Sequence, residues 1–105
     1  MFGELSVRIV VARCFLLQVL FNFSWLHAKL SCMPLRTVLD DFEDCLAAHP
    51  DLDPAVPLLM HAIRLSSSVL SQHPDMLAAQ VTGRLLPYYK THARIRHFCK
   101  FLTLE

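Results

Sequence analysis

Hydrophobic residues recur at helical spacing along most of the chain, and this pattern predicts a protein made of helices. The clearest run has apolar residues at positions i, i+3, i+4, i+7 and i+11: Leu35, Val38, Leu39, Phe42 and Leu46. Charged residues occupy the opposite side, as in an amphipathic helix that rests on a core. Pro34 precedes the run and favours a helix start, because its fixed φ suits a first turn and its missing N–H costs nothing there.

A second helix is predicted immediately before this one. Asn22 is a good N-cap, and with it in that position Phe21 and Leu26 have the spacing of a hydrophobic staple. The joint between the two helices is so short that they must pack as a hairpin. Trp25, the only tryptophan, is expected to lie between them.

A third helix is expected to begin at Asp53 and Pro54, a cap followed by a first-turn proline, and to run to about Gln72. Pro57 limits regular hydrogen bonding in the first turn, so a start as late as Val56 is the alternative. It carries apolar residues on two sides, which is typical of a helix that is packed on two sides. We therefore expect it to be the central helix of the fold.

Two further helices complete the predicted set. One begins at Pro74 and ends at Pro87, with Gly83 allowing another backbone to approach closely. The last begins at about Thr91, and its apolar residues again follow helical spacing: Ile95, Phe98, Cys99 and Leu102.

Residues 1–21 are also rich in apolar side chains, and two interpretations stay open. Glu4, Arg8, Arg13 and Gln18 interrupt the segment at intervals that suit the polar side of a buried amphipathic helix. A signal anchor is the alternative, although a membrane-spanning helix needs about 20 apolar residues.

These elements predict an all-α fold of about five helices, stacked as helical hairpins in a superhelical segment or a small bundle. A chain of 105 residues has room for one domain. Within a single helical module of residues 1–105 we distinguish an N-terminal helix (1–21), a core (22–86) and a basic C-terminal helix (87–105). The predicted structural core consists of Phe21, Trp25, Leu26, Leu30, Leu35, Val38, Leu39, Phe42, Leu59, Ile63, Leu70, Val81 and Leu85.

A short repeat links two of the predicted helix boundaries. Cys45–Leu52 reads CLAAHPDL, and VLSQHPDM follows at Val69–Met76, 24 residues later. Shared helix-stop and helix-start signals explain the match, because proline and an acidic residue both favour a helix N-terminus. His-Pro-Asp also resembles the loop of J-domain co-chaperones, but the strongly basic helix that precedes that loop has no counterpart here.

The composition is more apolar than that of an ordinary soluble domain. Hydrophobic residues make up 54% of the chain, and the mean hydropathy is +0.40. A small domain has too large a surface for its volume to bury all of this material. We therefore expect a partner, or neighbouring domains, to cover part of it. The net charge of +1 gives no general attraction to nucleic acid or anionic membranes.

Four cysteines, Cys14, Cys32, Cys45 and Cys99, lie far apart and form no CxxC pair. We interpret them as reduced core thiols of a cytoplasmic protein, since disulfides are rare in that compartment.

No set of residues predicts catalysis, a metal site or a cofactor site. The acidic residues Asp40, Asp41, Glu43 and Asp44 lie around one helical face and do not converge as cation ligands must. A P-loop is excluded because Gly3 and Gly83 are the only glycines. Neither the serines at 66–68 nor the loose set of His92, His97 and Cys99 has the partners that a nucleophile or a zinc ion needs.

Four stretches carry a family resemblance: FSWLHAKL, PLRTVLDDFE, AIRLSSSVL (Ala62–Leu70) and LAAQVTGRL (Leu77–Leu85). They resemble the helical region after the nucleotide-binding core in NACHT and WD-repeat domain-containing proteins, which are large signal-transducing ATPases. The resemblance covers roughly Val19 to Leu85 and rests on packing patterns. It implies a linker between the ATPase core and the WD repeats; both are missing here, so we expect a fragment or a short isoform.

The leading hypothesis is thus a non-catalytic helical linker or scaffold module, with the nucleotide-binding core and the WD-repeat domain as protein partners. A self-standing helical adaptor that binds a separate protein is the alternative. A third hypothesis is a small nucleic-acid binder, because Lys90, Arg94, Arg96 and Lys100 make the last helix basic.

Overall fold

The computed structural model describes residues 15–103, which are helical for most of their length and include no strand. Residues 15–20 form α1, the described part of the predicted N-terminal helix. The remaining elements are α2 (Phe23–Cys32), α3 (Leu35–Ala48), α4 (Ala55–Leu65), α5 (Ser67–Leu70), a 3-10 turn (Pro74–Met76), α6 (Leu77–Leu85), a second 3-10 turn (Leu86–Tyr88) and α7 (Ala93–Thr103). The all-α class is confirmed. The predictions for residues 1–14, including Cys14, lie outside the described residues.

Helix α4 is the centre of the fold, as its two apolar sides predicted. It packs against α3, α6 and α7, and α6 packs in turn against α7. Val56, Leu59 and Ile63 of α4 have no exposed surface. The predicted cap at the start of α4 is confirmed, because the Asp53 carboxylate accepts a hydrogen bond from the N–H of Ala55 (Oδ1–N 2.8 Å).

Helices α2 and α3 form the predicted hairpin, but Trp25 is not enclosed by it. The indole is half-buried, and the ammonium of Lys29 lies 5.3 Å from the centre of its ring. Lys29 also pairs with Asp41 of α3. Leu26 and Leu30, on the neighbouring stripe of α2, fill the hairpin interior instead. The rotation of α2 about its axis therefore places Trp25 at the edge of the hairpin, where Lys29 makes a cation–π contact with the indole.

The predicted long third helix is broken. Helix α4 ends at Leu65, Ser66 has φ −94° and ψ 9°, and α5 begins at Ser67. There is no proline or glycine between Leu58 and His73, so no residue that commonly breaks a helix predicted this interruption. Leu65, the last residue of α4, is 52% exposed although it is apolar.

The repeated His-Pro-Asp segments form two copies of one turn. His49 has φ −134° and ψ 77°, and His73 has φ −133° and ψ 75°. Each histidine N–H donates to the carbonyl four positions earlier, at 2.9 and 2.8 Å, and each carbonyl accepts from the N–H three positions later, at 3.0 Å in both. A residue before proline is pushed out of the α region, which ends the preceding helix in the same way each time.

Most residues of the predicted core are buried: Leu26, Leu30, Val38, Leu39, Phe42, Leu59, Ile63, Leu70, Val81 and Leu85. Phe21, Trp25 and Leu35 are half-buried and pack against that cluster. Leu20 and Leu52 also belong to the core, although neither lies on a stripe that the periodicity singled out.

Gly83 does not serve a close helix contact, contrary to the prediction. Among the described residues, a Cβ atom added there would meet no atom within 4 Å apart from the neighbouring backbone of α6, and the residue is exposed. The position is inside α6, where glycine is about 0.5–1 kcal/mol less favourable than alanine.

We therefore expect Gly83→Ala to stabilise the protein by about 0.5–1 kcal/mol, because it restricts the unfolded chain and fits the folded one. Urea denaturation followed by circular dichroism measures this. Ala79→Gly, at an exposed position one turn earlier in α6, is the matched control and should lower stability by a similar amount. A destabilised Gly83→Ala protein would mean that something packs on this face.

Candidate functional site

A concavity of the described residues lies where α1, the start of α2 and α7 meet. We call it the α1–α2–α7 cleft; its volume is about 530 Å³. This is within the range of about 300–1,000 Å³ that is usual for binding sites. Its described lining residues are Leu17, Gln18, Phe21, Asn22, Phe23, Ser24, Arg94, His97 and Phe98.

Aromatic side chains form the floor of this cleft. Phe21 meets Phe98 of α7 edge to face, with ring centres 5.6 Å apart and planes at 90°. Phe23 stacks on His27 one turn later in α2, with ring centres 5.7 Å apart. Phe21 and Phe23 are only half-buried, so their rings leave apolar surface open to a binding partner.

Asn22 lies between Phe21 and Phe23 and forms the helix cap that the sequence predicted. Its side chain accepts a hydrogen bond from the N–H of Trp25 (Oδ1–N 2.9 Å), and its backbone is extended. The cap starts α2 at Phe23 and sets the direction in which the chain enters from α1. Phe21 and Phe23, on either side of the cap, therefore both reach the cleft.

Arg94 supplies the positive charge at the cleft. Its Nε donates to Oδ2 of Asp53 at 3.1 Å, and its guanidinium carbon lies 5.8 Å from the centre of the Phe21 ring. These two contacts hold the guanidinium against the aromatic floor. His97, one turn later in α7, is exposed and also lines the cleft. None of the described lining residues is acidic.

Two acidic residues of α3 form ion pairs with neighbouring helices. The sequence pattern did not indicate these pairs. Instead of forming only a solvated face, they pair with basic residues on both neighbours, Lys29 of α2 and Arg64 of α4. For Glu43 and Arg64 the contact is an Oε1–Nη2 hydrogen bond of 2.8 Å. Within residues 15–103 no group of three or more His, Cys, Asp or Glu side chains could hold a metal ion. The ion pairs of α3 are Asp40–Arg36, Asp41–Lys29 and Glu43–Arg64.

Two of the basic residues around α7 contact other groups of the protein. Arg94 is engaged by Asp53, and Nη1 of Arg96 is 3.5 Å from the carbonyl oxygen of Tyr89. The ring of Tyr88 packs edge to face on His92, with centres 5.9 Å apart. Arginines held in this way have fewer donors left for phosphates, which weakens the nucleic-acid hypothesis.

The described cysteines differ in exposure, so the prediction of core thiols holds only in part. Cys99 is buried, Cys45 is half-buried and Cys32 is exposed; all three are free thiols. Burial raises the pKa of Cys99, and burial together with the nearby Asp44 raises the pKa of Cys45. Because the thiolate is the reactive form, these shifts make Cys45 and Cys99 poor nucleophiles at neutral pH.

Comparison with known proteins gives one informative similarity. Over 79 residues the chain is 28% identical to human NACHT and WD repeat domain-containing protein 2. The matched stretch is 75% of this chain and 4% of that protein. No protein-family model matches the chain, and no solved structure matches it either. The identity is low, so it supports a relationship to a NACHT and WD-repeat protein without assigning the chain to that family.

Sequence reasoning found the components of the cleft but not the cleft itself. It identified Asn22 as a cap and placed Phe98 on an apolar stripe, both correctly. It missed the contact between Asp53 and Arg94, which are 41 residues apart. Periodicity describes one helix at a time, so it contains no signal for such a pairing.

None of the described helices is both long and apolar enough to cross a bilayer.

Proposed function

We propose that the chain is a non-catalytic helical module of a NACHT and WD-repeat type protein, and that it transmits conformational change between domains by packing. The observation that carries this proposal is the α1–α2–α7 cleft, with its aromatic floor and its positive rim. The similarity to part of the human NACHT and WD-repeat protein supplies the type of protein. The partners are then its nucleotide-binding core and its WD-repeat domain.

The apolar surface of the cleft suits a protein contact. Well-packed aromatic residues at the centre of a patch, surrounded by polar groups, are typical of binding hot spots. Phe21, Phe23 and Phe98 form such a centre, and Asn22 and Ser24 lie beside it. Because the edge-to-face contact and the Asn22 cap fix the rings, little side-chain entropy would be lost on binding.

The charge of the cleft defines the chemistry of its partner. Arg94 lines it with its Nε bonded to Asp53, which leaves the Nη donors of the guanidinium to meet a carboxylate. His97 lines it as well, and no acidic group is among its described lining residues. The complementary partner is an apolar segment, such as an amphipathic helix laid into the groove, that carries a carboxylate beside its anchoring side chain. A segment with lysine or arginine at that position would be rejected by like charge.

The test is a titration of the purified chain with the nucleotide-binding region, and separately with the WD-repeat region, of the human relative. We expect at least one region to bind, and His97→Glu to weaken that binding about tenfold through like-charge repulsion. Calorimetry or fluorescence anisotropy measures the affinity.

His61→Glu is the matched control, because His61 is equally an exposed histidine but lies on α4 and does not line the cleft. Equal losses for the two variants would show that binding does not use the cleft. The domain-linking role would be overturned if neither region bound, and binding of a different protein would favour the adaptor hypothesis.

A further inference from the structure

The break between α4 and α5 is a local deviation centred on Ser66. The N–H of Ser66 is shared between the carbonyls of Ala62 (3.2 Å) and Ile63 (3.1 Å). The carbonyl of Ser66 accepts from the N–H groups of Val69 (3.1 Å) and Leu70 (2.9 Å). Because the backbone groups of Ser66 keep hydrogen bonds, the deviation from a continuous helix is small and confined to one residue.

Ser66 is held by a side chain from another helix. It has no exposed surface, and it is the one buried polar residue among those that the structure describes. Its Oγ accepts a hydrogen bond from Nε of Arg84 in α6 at 2.7 Å. A hydrogen bond from a charged donor is stronger than one between neutral groups. A serine inside a continuous helix would instead tend to bond to a carbonyl of the preceding turn.

We propose that the Ser66–Arg84 hydrogen bond is the latch of a hinge between α4 and α5. With the latch closed, Ser66 interrupts the helix between α4 and α5. The following turn of Pro74–Met76 then packs against both α5 and α2. With the latch open, residues 55–70 form one continuous helix, and the turn shifts against α2. A change at Arg84, near the C-terminal end of α6, would in this way alter the packing of the turn against α2 of the α2–α3 hairpin.

The latch is accessible to a partner because Arg84 is exposed while Ser66 is buried. A carboxylate is a better acceptor for a guanidinium than a neutral hydroxyl is. An acidic side chain of a docked protein would therefore draw Arg84 away and open the hinge. This device is separate from the α1–α2–α7 cleft and does not depend on the role proposed for that cleft.

The test is NMR on two latch variants, Ser66→Ala and Arg84→Ala. In both we expect the Cα shifts at residues 66–69 to become more helical, and the amides of residues 67–69 to exchange on the order of tenfold more slowly, as one strengthened helical turn would give. Amide shifts in α2 should change as well, because the turn of Pro74–Met76 contacts it.

Two exposed controls are matched to these variants: Ser68→Ala, two residues after the hinge, and Arg36→Ala on α3. Neither should alter the shifts at residues 66–69 beyond its own site. Arg84→Ala changes no residue of α4 or α5, so its result remains informative if Ser66→Ala folds poorly. Unchanged exchange and shifts around Ser66 in Arg84→Ala would overturn the latch, and an unchanged α2 in both variants would overturn the coupling.

Discussion

Phe42→Ala is expected to lower the free energy of unfolding by about 3–5 kcal/mol, the range for removing a buried aromatic ring. Phe42 has no exposed surface and is among the largest fully buried side chains that the structure describes. It lies on α3, which packs between α2 and the central helix α4. Alanine would leave a cavity there, because helices on both sides prevent the site from collapsing.

The size of this loss is comparable to the whole stability of a small domain, which is about 5–15 kcal/mol. Urea denaturation followed by circular dichroism measures it, at a temperature low enough to keep the variant folded. Phe15→Ala is the matched control: Phe15 is 62% exposed, so its loss should change stability by less than about 0.5 kcal/mol. A cost below about 1.5 kcal/mol for Phe42→Ala would mean that the site relaxes and that the core is not tightly packed.

Asp53→Ala is expected to lower stability by about 2 kcal/mol, because the carboxylate has two roles. Oδ1 accepts from the N–H of Ala55 at the start of α4, and Oδ2 accepts from Nε of Arg94 on α7. Loss of a helix cap costs about 1 kcal/mol. The ion pair is partly exposed, so its own contribution is about 1 kcal/mol at most, and it should weaken in high salt.

Asp53→Asn separates the two roles. The amide oxygen can still cap α4, whereas the charge that holds Arg94 is gone, so we expect about half the loss seen with alanine. Asp44→Ala, on the exposed face of α3, is the control and should change stability by less than about 0.5 kcal/mol. Equal costs for the asparagine and alanine variants would show that the cap contributes nothing and that the charge alone matters.

Local signals in the sequence predicted the position and type of most helices. The caps at Asn22 and Asp53 form the hydrogen bonds expected of them. The two His-Pro-Asp turns end their helices with the same backbone angles. These predictions succeed because capping and the restriction before proline act within a few residues, and so they depend little on the rest of the fold.

The errors arise where tertiary contacts outweigh local preference. The break at Ser66 lies in a segment with unbroken helical periodicity and is stabilised by Arg84, 18 residues later. Trp25 was expected inside the hairpin because it is large and apolar, yet it lies at the rim under Lys29. Gly83 was expected at a close contact, but within residues 15–103 no atom from another helix lies within 4 Å of a Cβ built there.

The sequence alone thus determined the all-α class, the central place of α4 and most helix boundaries to within a few residues, because hydrophobic periodicity and capping are encoded along the chain. The end of α4 at Leu65 is the exception, since the predicted helix continued to about Gln72. The tertiary structure decided the cross-helix ion pairs of α3, the latch at Ser66 and the α1–α2–α7 cleft. Each of these joins residues from separate helices, such as Asp53 with Arg94 or Phe21 with Phe98. Which side chains meet depends on the rotation and crossing of packed helices, and periodicity within one helix does not specify either.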